Sequence, residues 1–461
     1  MYSVAVFIVL ASLDNVTASL VPPLYTPISR ALGVGEGLVG LVTAVTFVVA
    51  AVAAVGWAYY GDRTNRKPLL MIGTLLWSAG TFLTSVSHAY LVFLAAQLVA
   101  AVGLGAVASV GFSVVSDLIS PRRRGLVMSL WGLSQGAGTL VGLLVAGQLG
   151  NSDWRRPFQL MTVLGLAATL AYLFTFAVRR GQSEPELAGA DYEARISRRD
   201  LRGILRRRTN VWLVLQGITA QITFGSLVWL PRLFQARVQA QGFDEATAIR
   251  VGSLLATLFQ LGGVLSIVGG LLGDRWQRRD PGGRAKVAAI GVLCGVPLYV
   301  LLFFVPMRIP ASTSASPDDV LGAVLKGMVT TPGVAVPFLL ALVALALTSA
   351  NSPNWFALIA DVNPPEHRGT VYSLGNLANG TGRALGNSLV ASVFNALAAR
   401  FPPPVNIAIG LAAFQVFFVP TGVMYWLASR TSPGDIDTVR EMMRHSGAPA
   451  SHSRDTTVDH M

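Results

Sequence analysis

One cysteine, Cys294, serves a chain of 461 residues, and its five histidines stand apart from one another in loops and the C-terminal tail. No disulfide can form within the chain, and no Cys/His spacing suits a metal, so neither a metal nor another cofactor is expected. No GxxxxGK[ST] run occurs, which argues against an ATP-driven pump. No nucleophile–base motif stands out, so an enzyme is not expected. Charge is also scarce: 13% of residues are Asp, Glu, Lys or Arg, against roughly 25% in soluble domains. The alternating short-strand pattern of an outer-membrane barrel is absent.

What remains is apolar. Long hydrophobic runs cover roughly 4–28, 37–60, 68–87, 91–118, 126–148, 157–178, 210–235, 247–272, 286–306, 336–359, 371–397 and 405–429. A run of about 20 apolar residues spans a bilayer as a helix. Lipid offers backbone N–H and C=O groups no partner, so spanning segments satisfy their own. The expectation is an all-α membrane protein of twelve spans. The first run begins almost at Met1, which leaves room for a start slightly upstream. It lacks a basic leader and contains Asp14, so it is not read as a signal peptide.

The net charge of +12 could suggest nucleic acid, but its distribution points elsewhere. With the N-terminus inside the cell, 25 of the 35 Lys and Arg fall in inner loops or the tail, nine of them Arg between 179 and 208. This is the positive-inside signal, so both termini are expected in the cytoplasm and the basic face against anionic lipid, with no nucleic acid.

The chain writes one short sentence twice. "DLISPRRRGLVMSL" (117–130) and "DVNPPEHRGTVYSL" (361–374) share seven of 14 positions, 244 residues apart. "YYGDRTNRK" (59–67) and "LLGDRWQRR" (271–279) echo each other at an offset of 212, after the second and eighth runs. Helix ends favour Asp, Pro, Gly and Arg anyway, which would explain one echo but not two in register. The expected organisation is an N-terminal six-helix bundle (1–178) and a linker (179–209), partly an amphipathic helix lying on lipid. A C-terminal six-helix bundle (210–429) and a cytoplasmic tail (430–461), mostly disordered, follow. Two parallel six-helix halves with a site at their interface describe a carrier architecture.

"GWAYYGDRTNRKPLL" (56–70) resembles the loop signature of the major facilitator superfamily. Its form with Asn65, together with "SDWRRPF" (152–158), "FGSLVWLPRLFQARV" (224–238) and "NWFALIADV" (354–362), is similar to the spinster branch. The resemblance implies a proton- or gradient-coupled carrier, in a plasma or bacterial inner membrane, of amphipathic molecules such as lysophospholipids and sphingoid phosphates. Related branches export drugs. Two departures stand out. Asn15 follows the first-helix acid where the branch has Arg, and Gln97 and Leu104 replace the Arg and Glu of its fourth helix. They leave coupling to Asp14 or make the chain an uncoupled facilitator.

Asp14 is the one acid deep in a run; an unpaired carboxylate there protonates or finds a cation. It could carry a proton or bind a headgroup, or it could merely bond to Asn15, Thr17 and Ser19. Arg383, mid-run in "NLANGTGRALGNSL" (376–389), needs an anion or a wet cavity: a phosphate, a carboxylate, or Asp14 across the pseudo-twofold. Arg232, beside the helix-breaking Pro231, could meet a lipid phosphate or snorkel to the interface. Amides at Asn351, Asn354, Asn376, Asn379, Asn387, Gln97, Gln216, Gln221 and Gln260 could line a pocket or hold helices together. Gly132, Gly136, Gly138 and Gly142 are spaced for close helix packing. The resemblance gives Gly61, Asp62, Arg63, Arg66 and Lys67 a conformational latch role, with Asp117, Arg124, Asp274, Arg275, Asp361 and Arg368 as counterparts. A monomer is expected. A C-terminal reporter active only in the cytoplasm should give full signal; signal instead from one that matures only outside the membrane would invert this topology.

Overall fold

The computed structural model describes residues 2–61, 64–111, 114, 136–174, 203–204, 206–363 and 365–447. Among them every regular element is helical, and each of the twelve expected runs carries a helix. Most spans are single helices or nearly so, as Glu36–Gly61 for the second, Arg66–Ser85 for the third and Gly283–Phe304 for the ninth. The fifth is described over Gly136–Leu149. The sixth is Arg156–Leu173 and the eleventh Pro365–Ala398. Large apolar side chains such as Leu91, Val163, Leu170 and Ile267 point outward, as a hydrocarbon surround requires.

Where a span breaks, proline is usually the cause, because it donates no backbone hydrogen bond. The first span ends its regular part at Ala18, passes through a 3-10 turn at Pro22–Leu24 and resumes as Tyr25–Leu32. The seventh does the same around Pro231: Arg208–Ser226, Leu227–Trp229, Leu230–Gln239. The tenth breaks at Ala350, one turn before Pro353, and the twelfth at Gln415–Phe417, before Pro420. The eighth breaks at Leu265 without a proline, just after Gly262 and Gly263.

Glycine sets the closest approaches. Gly382 and Gly386 of the eleventh span lie on the backbone carbonyls of Ile218 and Ile222 in the seventh, where any Cβ would collide. Gly138 and Gly142 press on the Ser12 and Val16 carbonyls of the first span. Gly136 meets open space, and Gly132 lies outside the described residues.

Two features differ from expectation. The twelfth span does not stop near 429 but runs on as helix to Gly447, with Ile436 and Val439 buried against the C-terminal bundle. Residues 448–461 and most of the linker, 175–202, lie outside the described residues. Ile204, at the linker's end, is fully buried in that same cluster. A further helix, Pro317–Thr330, capped by Ser316, occupies the long segment after the ninth span.

An even number of spans puts both chain ends on one face, the terminal face. The described contacts that tie the two bundles together gather on the opposite, distal face. Two ion pairs cross there with exchanged roles. Arg30, ending the first span, meets Glu245 at the start of the eighth, at 2.7 Å. Arg232, near the end of the seventh, meets Glu36 at the start of the second, at 2.9 Å. Arg232 therefore neither snorkels nor waits for lipid phosphate: its Nε donates to both Glu36 oxygens. Asn387 Nδ2 donates to the Gly40 carbonyl at 2.6 Å and its Oδ1 accepts from Tyr25. Gln235 donates to the Pro23 carbonyl at 2.8 Å, and Arg250 to Gln148 at 2.8 Å. The indole of Trp229 packs at a tilt against Tyr25, 4.4 Å between centroids, under Gly40, whose missing side chain leaves it room.

The crossed pairs reflect a third internal echo. Pro22, Leu24, Tyr25, Gly33 and Glu36 recur as Pro231, Leu233, Phe234, Gly242 and Glu245, 209 residues on. Gly33 and Gly242 are the two described glycines with positive φ, +66° and +92°, which end their spans and turn the chain toward the glutamate. Arg30–Glu245 is half-exposed and Arg232–Glu36 more covered; pairs at a protein surface contribute about 0–1 kcal/mol each. Glu36→Gln with Glu245→Gln should shift the population with the distal seam open roughly fivefold, about 1 kcal/mol in all. Spin-label distances across the loops after spans one and seven would report it, and unchanged distances would make both pairs bystanders. Gly386→Leu should cost about 1–3 kcal/mol by overpacking, seen as a lower melting temperature, whereas Gly322→Leu, in open space, should leave it unchanged.

Candidate functional site

The eleventh span carries a polar stripe. Asn376, Asn379, Arg383 and Asn387 follow at steps of three and four, so they share one face. That face looks toward the N-terminal bundle at Arg383 and Asn387, while Asn379 lies against Gly217 of the seventh span. The stripe's distal end, Asn387, bonds to the second span, and the other three line a cavity of about 710 Å³ between the bundles. Gln216 and Gln221 of the seventh span, Gln260 of the eighth and Asn351 of the tenth complete its polar wall. Phe224, Trp355 and Tyr372 supply aromatic surface, and Phe47 of the second span faces them from the other bundle. The cavity is mixed in character: amides and one cation among aromatic rings.

Arg383 is the cation. Its side chain keeps accessible surface inside the cavity although it sits mid-span. The guanidinium lies over the Phe47 ring, 4.5 Å from the centroid, a contact worth about 0.5–2 kcal/mol. No carboxylate pairs with it among the described residues, so its donors are available to an anion. The backbone places it firmly, because Gly225 of the seventh span packs directly on its carbonyl.

Several expected residues do other work. Asn354, three positions from Asn351, faces the other way: its Nδ2 donates to the Gly269 carbonyl at 3.1 Å and to the Ala350 carbonyl at 2.8 Å. It ties the eighth span to the break in the tenth. Asn351 itself accepts a bond from the Tyr425 hydroxyl. Gln97 donates to Thr84 at 3.0 Å, joining the third and fourth spans, and Leu104 packs against the apolar core. Asn15 lies beside Gly138 where the first and fifth spans meet.

Asp14 is half-buried in the first span, and its Oδ1 has no hydrogen-bond partner among the described residues. The neighbours that might have bonded to it are engaged with their own helix: Thr17 donates to the Leu13 carbonyl at 3.1 Å and Ser19 to the Asn15 carbonyl at 2.8 Å. Asp14 is not among the described residues lining the cavity, and no ion pair joins it to Arg383. Two mid-membrane ionisable groups thus stand apart, one on each bundle.

On the terminal face, Asn65 caps the third span, its Oδ1 accepting from the Lys67 amide at 3.0 Å. Arg66 is buried and its Nε donates to the Gly61 carbonyl at 3.4 Å. Lys67 reaches the Leu173 carbonyl at 2.8 Å, where its charge meets the negative end of the sixth span. In the C-terminal bundle Arg284 bridges Asp274, at 2.7 Å, and Asp361. The twelfth span's extension, through Ile436 and Arg440, lines the cleft above this cluster. In the adjoining loop, hydrogen bonding from Lys286 and the Gly282 amide holds the Asp280 carboxyl below the usual carboxylate range. Arg275 is exposed. Asp62, Arg63, Asp117 and Arg124 lie outside the described residues, as does the side chain of Arg368.

Sequence reasoning missed Glu36, Glu245 and Arg30, although the repeated Pro-x-Leu-aromatic and Gly-x-x-Glu spacing could have found two of them. It also named the Asn cluster without noticing the stripe.

Comparison with known proteins agrees with this architecture. The sphingosine-1-phosphate transporter SPNS2 of Xenopus tropicalis is 29% identical over 293 residues, 59% of this chain and 54% of that protein. The Mus musculus protein of the same name is 29% identical over 301 residues, 61% of this chain and 53% of that one. Protein spinster of Drosophila melanogaster is 23% identical over 389 residues, 79% and 63% of the two chains. The chain spans little more than half the length of these relatives. Among solved structures, a bacterial homologue of the human lysosomal transporter Spinster, inward-facing and unoccupied, superposes with a TM-score of 0.73 at 19% identity, over 94% of this chain and 98% of that one. A D-xylose–proton symporter superposes at 0.68 with 14% identity, over 92% and 97%. The family model of the Major Facilitator Superfamily matches residues 5–387. Twelve helical spans in two six-helix halves around a polar cavity, and this match over most of its length, identify the chain as an integral membrane transporter of the Major Facilitator Superfamily.

Proposed function

We propose that this transporter moves an amphipathic molecule with an anionic headgroup, a lysophospholipid or sphingoid phosphate, by alternating access. The observation that carries the reading is Arg383: an accessible guanidinium in a cavity of amides and aromatic rings, with no carboxylate partner among the described residues. A phosphate accepts bidentate bonds from such a group, and the aromatic surface suits a hydrocarbon chain. Asn376 and Asn379 flank the Arg383 site on the same helix face and offer further donors. Two relatives whose names specify sphingosine-1-phosphate fit the same headgroup chemistry.

Asp14, whose Oδ1 has no partner among the described residues, is the group to carry a proton. Protonation there changes the cost of moving the first span between environments, which is what coupling requires. A competing reading is an uncoupled facilitator or a drug or metabolite exporter of the same superfamily. It is favoured by Gln97 and Leu104, which give the fourth span no ionisable partner for Asp14. We further place the protein as a monomer in the plasma or bacterial inner membrane with both termini in the cytoplasm. The tied distal face is then the outer one, and the latch residues Arg66, Lys67, Asp274 and Asp361 act on the inner side.

Arg383→Ala should weaken binding of a lysophosphatidate roughly 10- to 100-fold, the size of a charge-assisted hydrogen bond, and leave a monoacylglycerol of equal chain length unchanged. Calorimetry on purified protein reads both; equal weakening of the two would remove Arg383 from headgroup recognition. In proteoliposomes Asp14→Asn should abolish lysolipid flux driven by a pH gradient while preserving binding. Flux indifferent to both the gradient and the substitution selects the facilitator.

A further inference from the structure

A second concavity lies on the outer surface of the C-terminal bundle, away from the cavity between the halves. It is a groove of about 590 Å³ between the eighth, ninth and tenth spans. Its walls are apolar along most of their length: Leu265, Val268, Leu272, Ile290, Val343 and Leu347. Three helices close behind it because two of them carry glycine there: Gly269 rests on Ala350 and Gly291 on the Leu347 carbonyl. At the terminal-face end the character changes abruptly to Arg275, Trp276 and Arg279.

The two arginines are exposed, one helical turn apart, and their guanidinium groups make no ion pair or hydrogen bond among the described residues. The nearby acids are committed elsewhere: Asp274 to Arg284 and Asp280 to Lys286. Two like charges at that spacing repel each other unless an anion sits between them. Trp276 beside them is the side chain that favours the level of lipid headgroups.

We propose that this groove is a binding site for one anionic phospholipid of the leaflet on the terminal face, with an acyl chain along the apolar walls and its phosphate on Arg275 and Arg279. The charge complementarity fixes the occupant's sign, and the groove's opening toward hydrocarbon fixes its tail. This lipid is distinct from the transported molecule: the groove and the central cavity lie on opposite sides of the eighth and tenth spans. The breaks of those two spans, at Leu265 and Ala350, face the groove, while the adjacent Ser266 and Asn351 face the cavity. A lipid seated in the groove therefore braces the wall that shapes the cavity.

Trp276 provides the probe. The purified chain is placed in nanodiscs holding brominated phosphatidylglycerol in plain phosphatidylcholine, or brominated phosphatidylcholine in plain phosphatidylglycerol, at equal mole fraction of the brominated lipid. The share of quenching due to this residue is the difference between wild type and Trp276→Phe. Brominated phosphatidylglycerol should quench Trp276 about threefold more than brominated phosphatidylcholine. Arg275→Gln with Arg279→Gln should erase the preference, and Arg275→Lys with Arg279→Lys should retain part of it. Equal quenching by both lipids in wild type overturns the site, a result that needs no variant at the arginines to fold. A preference that survives the double Gln change, or one abolished by free inorganic phosphate, overturns it as well.

Discussion

The absence of any hydrogen-bond partner in hydrocarbon governs this molecule. A backbone group left unpaired there costs several kcal/mol, so the chain crosses as helices and breaks them where protein stands close by. The breaks of spans one and seven lie in the seam between the bundles, and those of spans eight and ten lie between groove and cavity. The same rule reaches the side chains. Thr74, Ser78, Thr81 and Thr84 form a column of hydroxyls along the third span, and each donates to the carbonyl four residues earlier. Polar residues in apolar helices are therefore mostly spoken for, which is what makes Arg383 and the unpartnered oxygen of Asp14 informative.

Much of the fold was legible because bilayer thickness imposes one length on every span. Apolar runs and duplicated loop motifs suffice to place twelve helices in two halves. What escaped has physical reasons. The extension of the twelfth span to Gly447 contains no long apolar run; it is held as helix by Ile436 and Val439 packing on one side, a stripe that periodicity in a polar stretch displays only faintly. The helix Pro317–Thr330 is likewise short and amphipathic. The crossed pairs of Arg30 with Glu245 and Arg232 with Glu36 join residues about 200 positions apart, and only the pseudo-twofold brings them together.

The candidate site was legible in its parts but not in its sorting. Asn351 and Asn354 read alike in sequence, yet one lines the cavity and the other fills the space that Gly273 leaves by lacking a side chain. Which amide is glue depends on helix rotation, and rotation is set by where glycines allow backbones to touch. On the eleventh span Gly382 and Gly386 fix that rotation against the seventh. Arg383 is then turned toward Phe47 of the opposite bundle, while Asn379 lies against Gly217 of the seventh span at the cavity wall. The small residues choose the polar face.

That geometry also bears on how binding and motion are linked. Arg383 belongs to the C-terminal bundle, and the ring it rests on, Phe47, belongs to the N-terminal one. With the distal face closed, the seam brings the two together: Gly380 packs near Ala51, and Asn387 holds Gly40. Parting the bundles at that face would withdraw Phe47 and leave the guanidinium facing water. A ligand shifts such an equilibrium only by its difference in affinity for the two states. On the proposed reading, an anionic headgroup on Arg383 weakens the cation's hold on Phe47 and so lowers the cost of opening, while the crossed ion pairs set that cost. The distal pairs and the central arginine are then two terms of one balance, linked through the second and eleventh spans that run past each other between them.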